Sequence, residues 1–303
     1  TAMPETTATA RQRLLELHLR QSEASVSEAS IGRRPRDAVL TLSSSQRCLW
    51  FLDQLGGQSA RYNIAQAIEL VGALDVPALE RSVRTLVQRH ESLRTAVELR
   101  DGVAVQVVQD AEPAGAQISL PARQLVGTSA AERELELSSL LQSLADTPVD
   151  LTRAPLLKAH LLRLSETEHV LLPVVHHIVF DGWSMGVLAR ELRLLYASRG
   201  DASALPALPI QFADYALWQH EQLAGDGLKH ELKYWHEKLQ GLAPLDLPTD
   251  RPRPARPSHR GGLVRFEVGA AQLAPLTALA QHENATLFMV PLRAFQVLLM
   301  RYS

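Results

Sequence analysis

Cysteine is nearly absent from this chain: Cys48 is the only one in 303 residues, so there is no internal disulfide and neither half of a Cys-x-x-Cys metal clip. That usage fits a reducing cytosol. Neither sign of charge dominates, with 31 Lys and Arg against 33 Asp and Glu, which leaves no global positive field to gather nucleic acid or anionic lipid. No apolar run is long enough for a bilayer, since Val170 to Val175 is short and Leu287 to Met300 is interrupted by Pro291, Arg293 and Gln296. The start, Thr1-Ala2-Met3-Pro4-Glu5, shows no basic region leading into an apolar core, so no signal peptide is expected and the localisation expected is cytoplasmic. Internal repeats and long low-complexity tracts are also missing.

What is present is ordinary globular composition, 46% hydrophobic and 21% charged, long enough for one large domain or two lobes. Residues 1–37 have linker composition, with a short helix candidate at Arg11 to Arg20 and a basic cluster at Arg33, Arg34 and Arg36. From Ala38 the texture changes. Val39-Leu40 reads as a strand, Ser43 to Ser45 as caps of a helix through Leu49, Leu52 and Leu55, and Ile64 to Val71 as another strand. Asp75 with Pro77 opens a helix that buries Leu79, Val83 and Leu86. Asp101-Gly102 joins Val97-Glu98-Leu99 to Val103–Val108 as a hairpin, and a helix is expected over Ala130 to Asp146. Leu156 to Leu164 and His169 to Val175 form a pair of buried strands, in which Pro173 demands an unpaired side or a bulge. Met185, Leu188, Leu192 and Leu195 then repeat at helical spacing. Residues 213 to 240 look helical, 247–257 form a proline-rich connector, Gly261 to Val268 reads as a strand, and Ala270 to His282 and Thr286 to Arg301 as helices.

Between a strand and a helix lies His176-His177-Ile178-Val179-Phe180-Asp181-Gly182. Irregular backbone at such a junction is where functional side chains gather. Neighbours in an extended segment point to opposite faces, so His176 and His177 do not both address one substrate. One imidazole is then free to accept or donate a proton near neutrality, and the other is structural. Gly182 lacks a β-carbon, which allows either close approach of a ligand or a strained backbone. The bland reading of the same residues is a satisfied core histidine pair with Asp181 capping the next helix. His177 and Asp181 have no third ligand cluster at metal spacing nearby, so no metal site is expected.

The segment from Val175 to Ser184 resembles the HHxxxDG signature of condensation domains of nonribosomal peptide synthetases. Leu42 to Leu52 with Tyr62-Asn63-Ile64, Arg89 to Thr95, and Phe212 to Trp218 resemble other segments of that family in the same order, and Leu247 to Arg253 resembles its connector. The resemblance covers nearly everything from Ala38 to Ser303, departing at Ser45, where the family often has Ala, and at Cys48. It implies an α/β fold of two chloramphenicol-acetyltransferase-like lobes, each an α+β two-layer sandwich. Residues 1–37 are then a linker or docking segment, 38–255 the N-terminal lobe with trailing helices and connector, and 256–303 the start of a second lobe continuing beyond Ser303. An isolated 303-residue piece is expected to be inactive or weakly active.

By the same resemblance, donor and acceptor peptidyl carrier proteins deliver phosphopantetheine-tethered substrates, and a neighbouring adenylation domain belongs to the same module. No cofactor is bound by the domain itself. The implied reaction is peptide-bond formation, with His177 facing the substrate tunnel. From its position at the helix start alone, and not from the resemblance, Gly182 is expected to contribute a backbone amide for the oxyanion. His176 is structural, and Asp181 pairs with Arg89 or Arg94. Both arginines also admit a reading as solvated charge. Trp183 and Ser184 line the tunnel, unless Trp183 is core. His177 acts either as general base or by positioning the amine. The basic clusters, Arg33-Arg34-Arg36 among them, fit solvated linker charge better than carrier docking. Three other functions compete: a stand-alone acyltransferase using coenzyme A thioesters; a non-catalytic relative that recruits partner enzymes, of a kind that tends to lose the second His or the Gly; and epimerisation within the same superfold, which Trp183-Ser184 after Asp181-Gly182 disfavours.

Overall fold

A computed structural model describes residues 31–56, 60–224, 226–252, 254–255, 262 and 264–303; the helix candidate at Arg11 to Arg20 lies outside them. The chain divides into two compact units, the first running to Leu228 and the second Lys229–Ser303.

The first unit is organised around one strand. β7 (Glu168–His176) is buried at every position after Glu168, as a strand covered on both faces must be. β6 (Leu157–Arg163) runs antiparallel to it along its whole length, and β5 (Ala122–Gln124) adds a short parallel edge to β6. On the other side of β7, the single strand expected over Ile64 to Val71 is two. β1 (Asn63–Ala65) ends opposite Val174, and β2 (Ile68–Val71) begins opposite Leu171. Leu172 and Pro173 face the gap, so the proline without an N–H sits where no ladder bond is required.

Two helices cover one face of this sheet. α2 (Val76–Arg89) starts where the Asp75 carboxylate accepts the Ala78 N–H at 2.9 Å, with Pro in its first turn. α5 (Gly182–Ala197) follows β7 directly. Leu79, Val83 and Leu86 from α2 meet Leu188, Leu192 and Leu195 from α5 over Leu157, Leu161, Leu171 and Val175 of the sheet. A second cluster gathers Leu42, Val97, Leu151, Leu156 and Ile178, with Leu49 and Trp50 of α1 (Ser44–Gly56) packed against it. Val97 comes from the hairpin β3 (Thr95–Arg100) and β4 (Val103–Val108), whose turn residues Asp101 and Gly102 have φ of 52° and 78°. Both angles lie in the left-handed region a tight hairpin uses.

Val39-Leu40 is not a strand. Only an isolated bridge joins Thr41 to Val105, with the Leu40 carbonyl accepting the Gln106 N–H at 2.7 Å. α3 (Ala111–Ala116) and β5 were not expected; both are short and carry no periodic pattern. α4 (Ala130–Ala145) begins with a capping box between Ser129 and Glu132.

The helical stretch after residue 211 is α6 (Phe212–Gln222) and α7 (Asp226–Leu239). In the second unit, α8 (Ala270–His282) and α9 (Met289–Tyr302) form a helical pair joined through a turn where Ala285 N–H reaches the Ala280 carbonyl at 2.8 Å. The described residues of 261–268 form no strand, since a strand requires a neighbour to complete its ladder.

Candidate functional site

The two histidines separate as period-2 geometry requires. Val175 points into the main core, so His176 points the other way and is fully buried, whereas His177 leaves the strand in a turn with its side chain exposed. His176 Nδ1 accepts the Ile178 N–H at 3.1 Å, which places its proton on Nε2. Burial, with His177 nearby, pushes its imidazole down to about 4, so it is neutral near pH 7. Tyr62 packs edge-on against the ring at 6.2 Å. His177 is held through its backbone, its N–H donating to the Tyr62 carbonyl at 2.7 Å.

A third strut comes from α1. Ser43 and Gln46 cap reciprocally, Gln46 N–H to Ser43 Oγ at 3.2 Å and Ser43 N–H to Gln46 Oε1 at 3.0 Å. The Gln46 amide nitrogen is thereby turned toward the Ile178 carbonyl, 3.2 Å away. Both Gln46 and the Ile178 carbonyl are buried, so this bond carries the cost of leaving either unpaired.

Asp181 is the N-cap of α5. Its Oδ1 accepts the Ser184 hydroxyl at 2.6 Å and the Ser184 N–H at 2.8 Å; these bonds, the hydroxyl's first, hold the carboxylate below its usual range. The expected ion pair with Arg89 or Arg94 is therefore corrected. The Asp181 carboxylate is turned to the helix start, Arg89 Nε sits 3.2 Å from Glu191 Oε2, and Arg94 donates to the Gln88 carbonyl at 3.2 Å and to the Gln109 carbonyl. Glu191, buried within α5, also meets His90 Nε2 at 2.7 Å. The reading of both arginines as solvated charge falls with it.

His177, Asp181, Trp183 and Ser184 line one cleft of about 440 Å3, together with Gln46, Ser92, Phe212, Tyr215 and Gln219. Trp183 is 84% exposed, so it belongs to the cleft wall and not to the core. Gly182 opens α5 without positive φ, which removes the strained-backbone reading. A β-carbon there would meet nothing within 4 Å, so the backbone borders open space beside its first-turn amides, and such amides favour developing negative charge. Gln219 Nε2 donates to the Tyr215 hydroxyl at 3.0 Å, while its Oε1 accepts the Ser44 N–H at 2.8 Å. Tyr215 and Gln219 received no role from sequence reasoning, although both lie in or beside the segment Phe212 to Trp218. Among the described residues, no three His, Cys, Asp or Glu side chains gather into a group fit for a metal ion.

The basic cluster before the fold is not simply solvated. Arg34 pairs with Glu91 at 2.8 Å and with Asp214 at 2.8 Å, and Arg33 Nε reaches the Pro209 carbonyl at 2.8 Å. Burial pushes the Asp214 carboxyl up, but the Gln211 N–H and Arg34 outweigh it and leave it below its ordinary value.

The family model of the condensation domain matches residues 37–303. The chain belongs to the condensation-domain family. One of the subunits of linear gramicidin synthase from Brevibacillus parabrevis is 47% identical over 271 residues, which is 88% of this chain and 5% of that protein. Among solved structures, the X-domain from teicoplanin biosynthesis superposes with a TM-score of 0.79 at 31% identity, covering 90% of this chain and 60% of that one. The first condensation domain of the CDA synthetase shares the fold, with a TM-score of 0.70 at 22% identity over 88% of this chain and 63% of that one. The chain thus spans a small part of the synthetase it matches and about three-fifths of the solved domains. Its mixed α/β architecture is the chloramphenicol-acetyltransferase-like fold of condensation domains, and no helix among the described residues is long and apolar enough to cross a membrane.

Proposed function

We propose that this chain carries the histidine half of an amide-forming acyl-transfer site in a nonribosomal peptide synthetase. The observation that carries the reading is the division of labour between the histidines: His176 is buried and neutral, and His177 stands exposed in the cleft. In the reaction, the acceptor's amine nitrogen attacks the donor's thioester carbon, forming a tetrahedral oxyanion. Its collapse breaks the C–S bond, the nitrogen gives up a proton, and the donor arm leaves as a thiol. Phosphopantetheine arms on donor and acceptor carrier proteins bring both reactants, and the adenylation domain of the module supplies the activated amino acid. The thioester arrives activated, so this step needs neither ATP nor a bound cofactor.

An α-amine titrates near 8, so a useful fraction is already nucleophilic. His177 orients the amine and takes its proton as the intermediate collapses, a role typically contributing about a hundredfold to ten-thousandfold. The Gly182 amide at the start of α5 stabilises the oxyanion. Asp181, Gln46 and the Tyr62 carbonyl hold the loop that presents the imidazole.

The likeness to the teicoplanin X-domain, a structure also solved in complex with OxyB, favours a second reading, a platform that recruits partner enzymes without chemistry. The higher identity to a synthetase and the exposed His177 and Gly182 favour transfer. Single-turnover assay of the parent module with a loaded donor and a loaded acceptor carrier decides between them. Peptide formed on the acceptor is the expected result; a module that binds both loaded carriers yet transfers nothing overturns the reading in favour of recruitment.

A further inference from the structure

The His177 cleft has a side branch. A pocket of about 240 Å3 opens beside it, and four residues, Ser92, Val179, Phe180 and Ser184, border both spaces. Apart from these four shared residues and His90, the lining is apolar: Leu86 from the end of α2, Leu93, and Val187 and Leu188 from α5. Leu86, Leu93, Phe180 and Leu188 are each 7% exposed or less, so these walls are firmly packed. The one titratable lining residue, His90, has its Nε2 already engaged at 2.7 Å by Glu191, which Arg89 also holds. No charged group is thus left to pair with an ionised ligand in the branch, and burying one there would be costly. A cavity of about 150 Å3 with such walls accepts a benzene-sized group, so this one has room for a whole leucine or phenylalanine side chain.

We infer that this branch is a side-chain subsite, selecting an uncharged, bulky apolar side chain on the carrier-tethered amino acid that reacts at His177. The inference rests on the acyl-transfer reading and narrows it to a substrate class. The reacting atom, the donor's thioester carbon or the acceptor's amine nitrogen, lies in the cleft beside His177. The substituent on the adjoining α-carbon passes between Ser92 and Ser184, and the side chain fills the space against Leu86, Leu93 and Leu188. Val187 forms part of the wall from α5 and is only partly buried, so changing its size alters the pocket without disturbing the packed core.

The test is competition within one reaction of the parent module: leucyl-loaded against alanyl-loaded carrier, run once with the pair as donors and once as acceptors. A ratio of products is independent of how much enzyme is folded. Val187→Phe, which fills the pocket, should lower the leucyl-to-alanyl product ratio by about tenfold or more in one arm, and that arm identifies whose side chain enters. Val187→Ala should move the same arm's preference toward larger side chains. Ratios within twofold of wild type in both arms overturn the subsite while leaving acyl transfer intact. A wild-type module that forms no product with any pair overturns the transfer reading and the subsite together.

Discussion

Gln46 and Ile178 are 132 residues apart in sequence, yet the Gln46 amide donates to the Ile178 carbonyl at 3.2 Å inside the protein. This bond ties α1 to the turn that carries His177, and it is oriented by the cap that Gln46 exchanges with Ser43.

Gln46→Leu removes the donor and leaves a buried carbonyl unpaired, at a cost of about 1–3 kcal/mol. Urea unfolding followed by tryptophan fluorescence should show that loss. In transfer assays kcat should fall while KM for the loaded carriers stays near wild type, since the carrier surface is untouched and only the imidazole's placement is loosened. Equal stability in the two proteins, or a change confined to KM, contradicts this positioning role.

The neutral burial of His176 sets a pH dependence. Its folded value is about 4 against 6.5 unfolded, so between these pH values the unfolded chain binds more protons and stability rises with pH. The contribution is complete above about pH 7 and is lost progressively on acidification, amounting to about 3 kcal/mol by pH 4. His160, also pushed down by burial, acts in the same direction. Denaturation midpoints at pH 5 and pH 7 should differ more in wild type than in His176→Gln, which lacks that proton. An identical pH difference in both proteins would mean that His176 titrates as though exposed.

Arg34 bridges the segment before the fold to Glu91, beside Ser92 of the cleft, and to Asp214 in α6, whose Phe212 and Tyr215 form another cleft wall. Because Glu91 and Asp214 are mostly buried, Arg34→Ala leaves Asp214 without its cation and Glu91 with only Arg94, 3.9 Å away, and should cost about 2 kcal/mol or more. Arg34→Lys should restore only part of this, as an ammonium does not reproduce the planar fork. Thermal unfolding of the three proteins checks the order; a lysine variant equal to wild type would show that point charge alone suffices.

Much of the fold is legible in sequence because it is local. Pro173 announces a break in the ladder, Asp101-Gly102 its hairpin, and the opposite orientation of His176 and His177 follows from the period of a strand. The apolar spacing of Leu188, Leu192 and Leu195 foretells α5, and Glu191 among them carries a further sign: a carboxylate on the buried face needs a partner, and that partner is Arg89 with His90. The pairing of Asp181 with an arginine fails for a related reason, since a helix start nearby satisfies the carboxylate through local bonds first. Contacts such as Gln46 to Ile178 and Arg34 to Asp214 depend on how distant segments pack, and no local pattern encodes them.

The most direct measurement of the central claim is the single-turnover rate of peptide transfer between loaded carriers, comparing the parent module with its His177→Ala variant. With folding and carrier binding intact, the variant should be slower by about a hundredfold or more. A variant within about threefold of wild type, well short of a general-base contribution, would remove His177 from the chemistry and leave it as a surface residue beside the cleft.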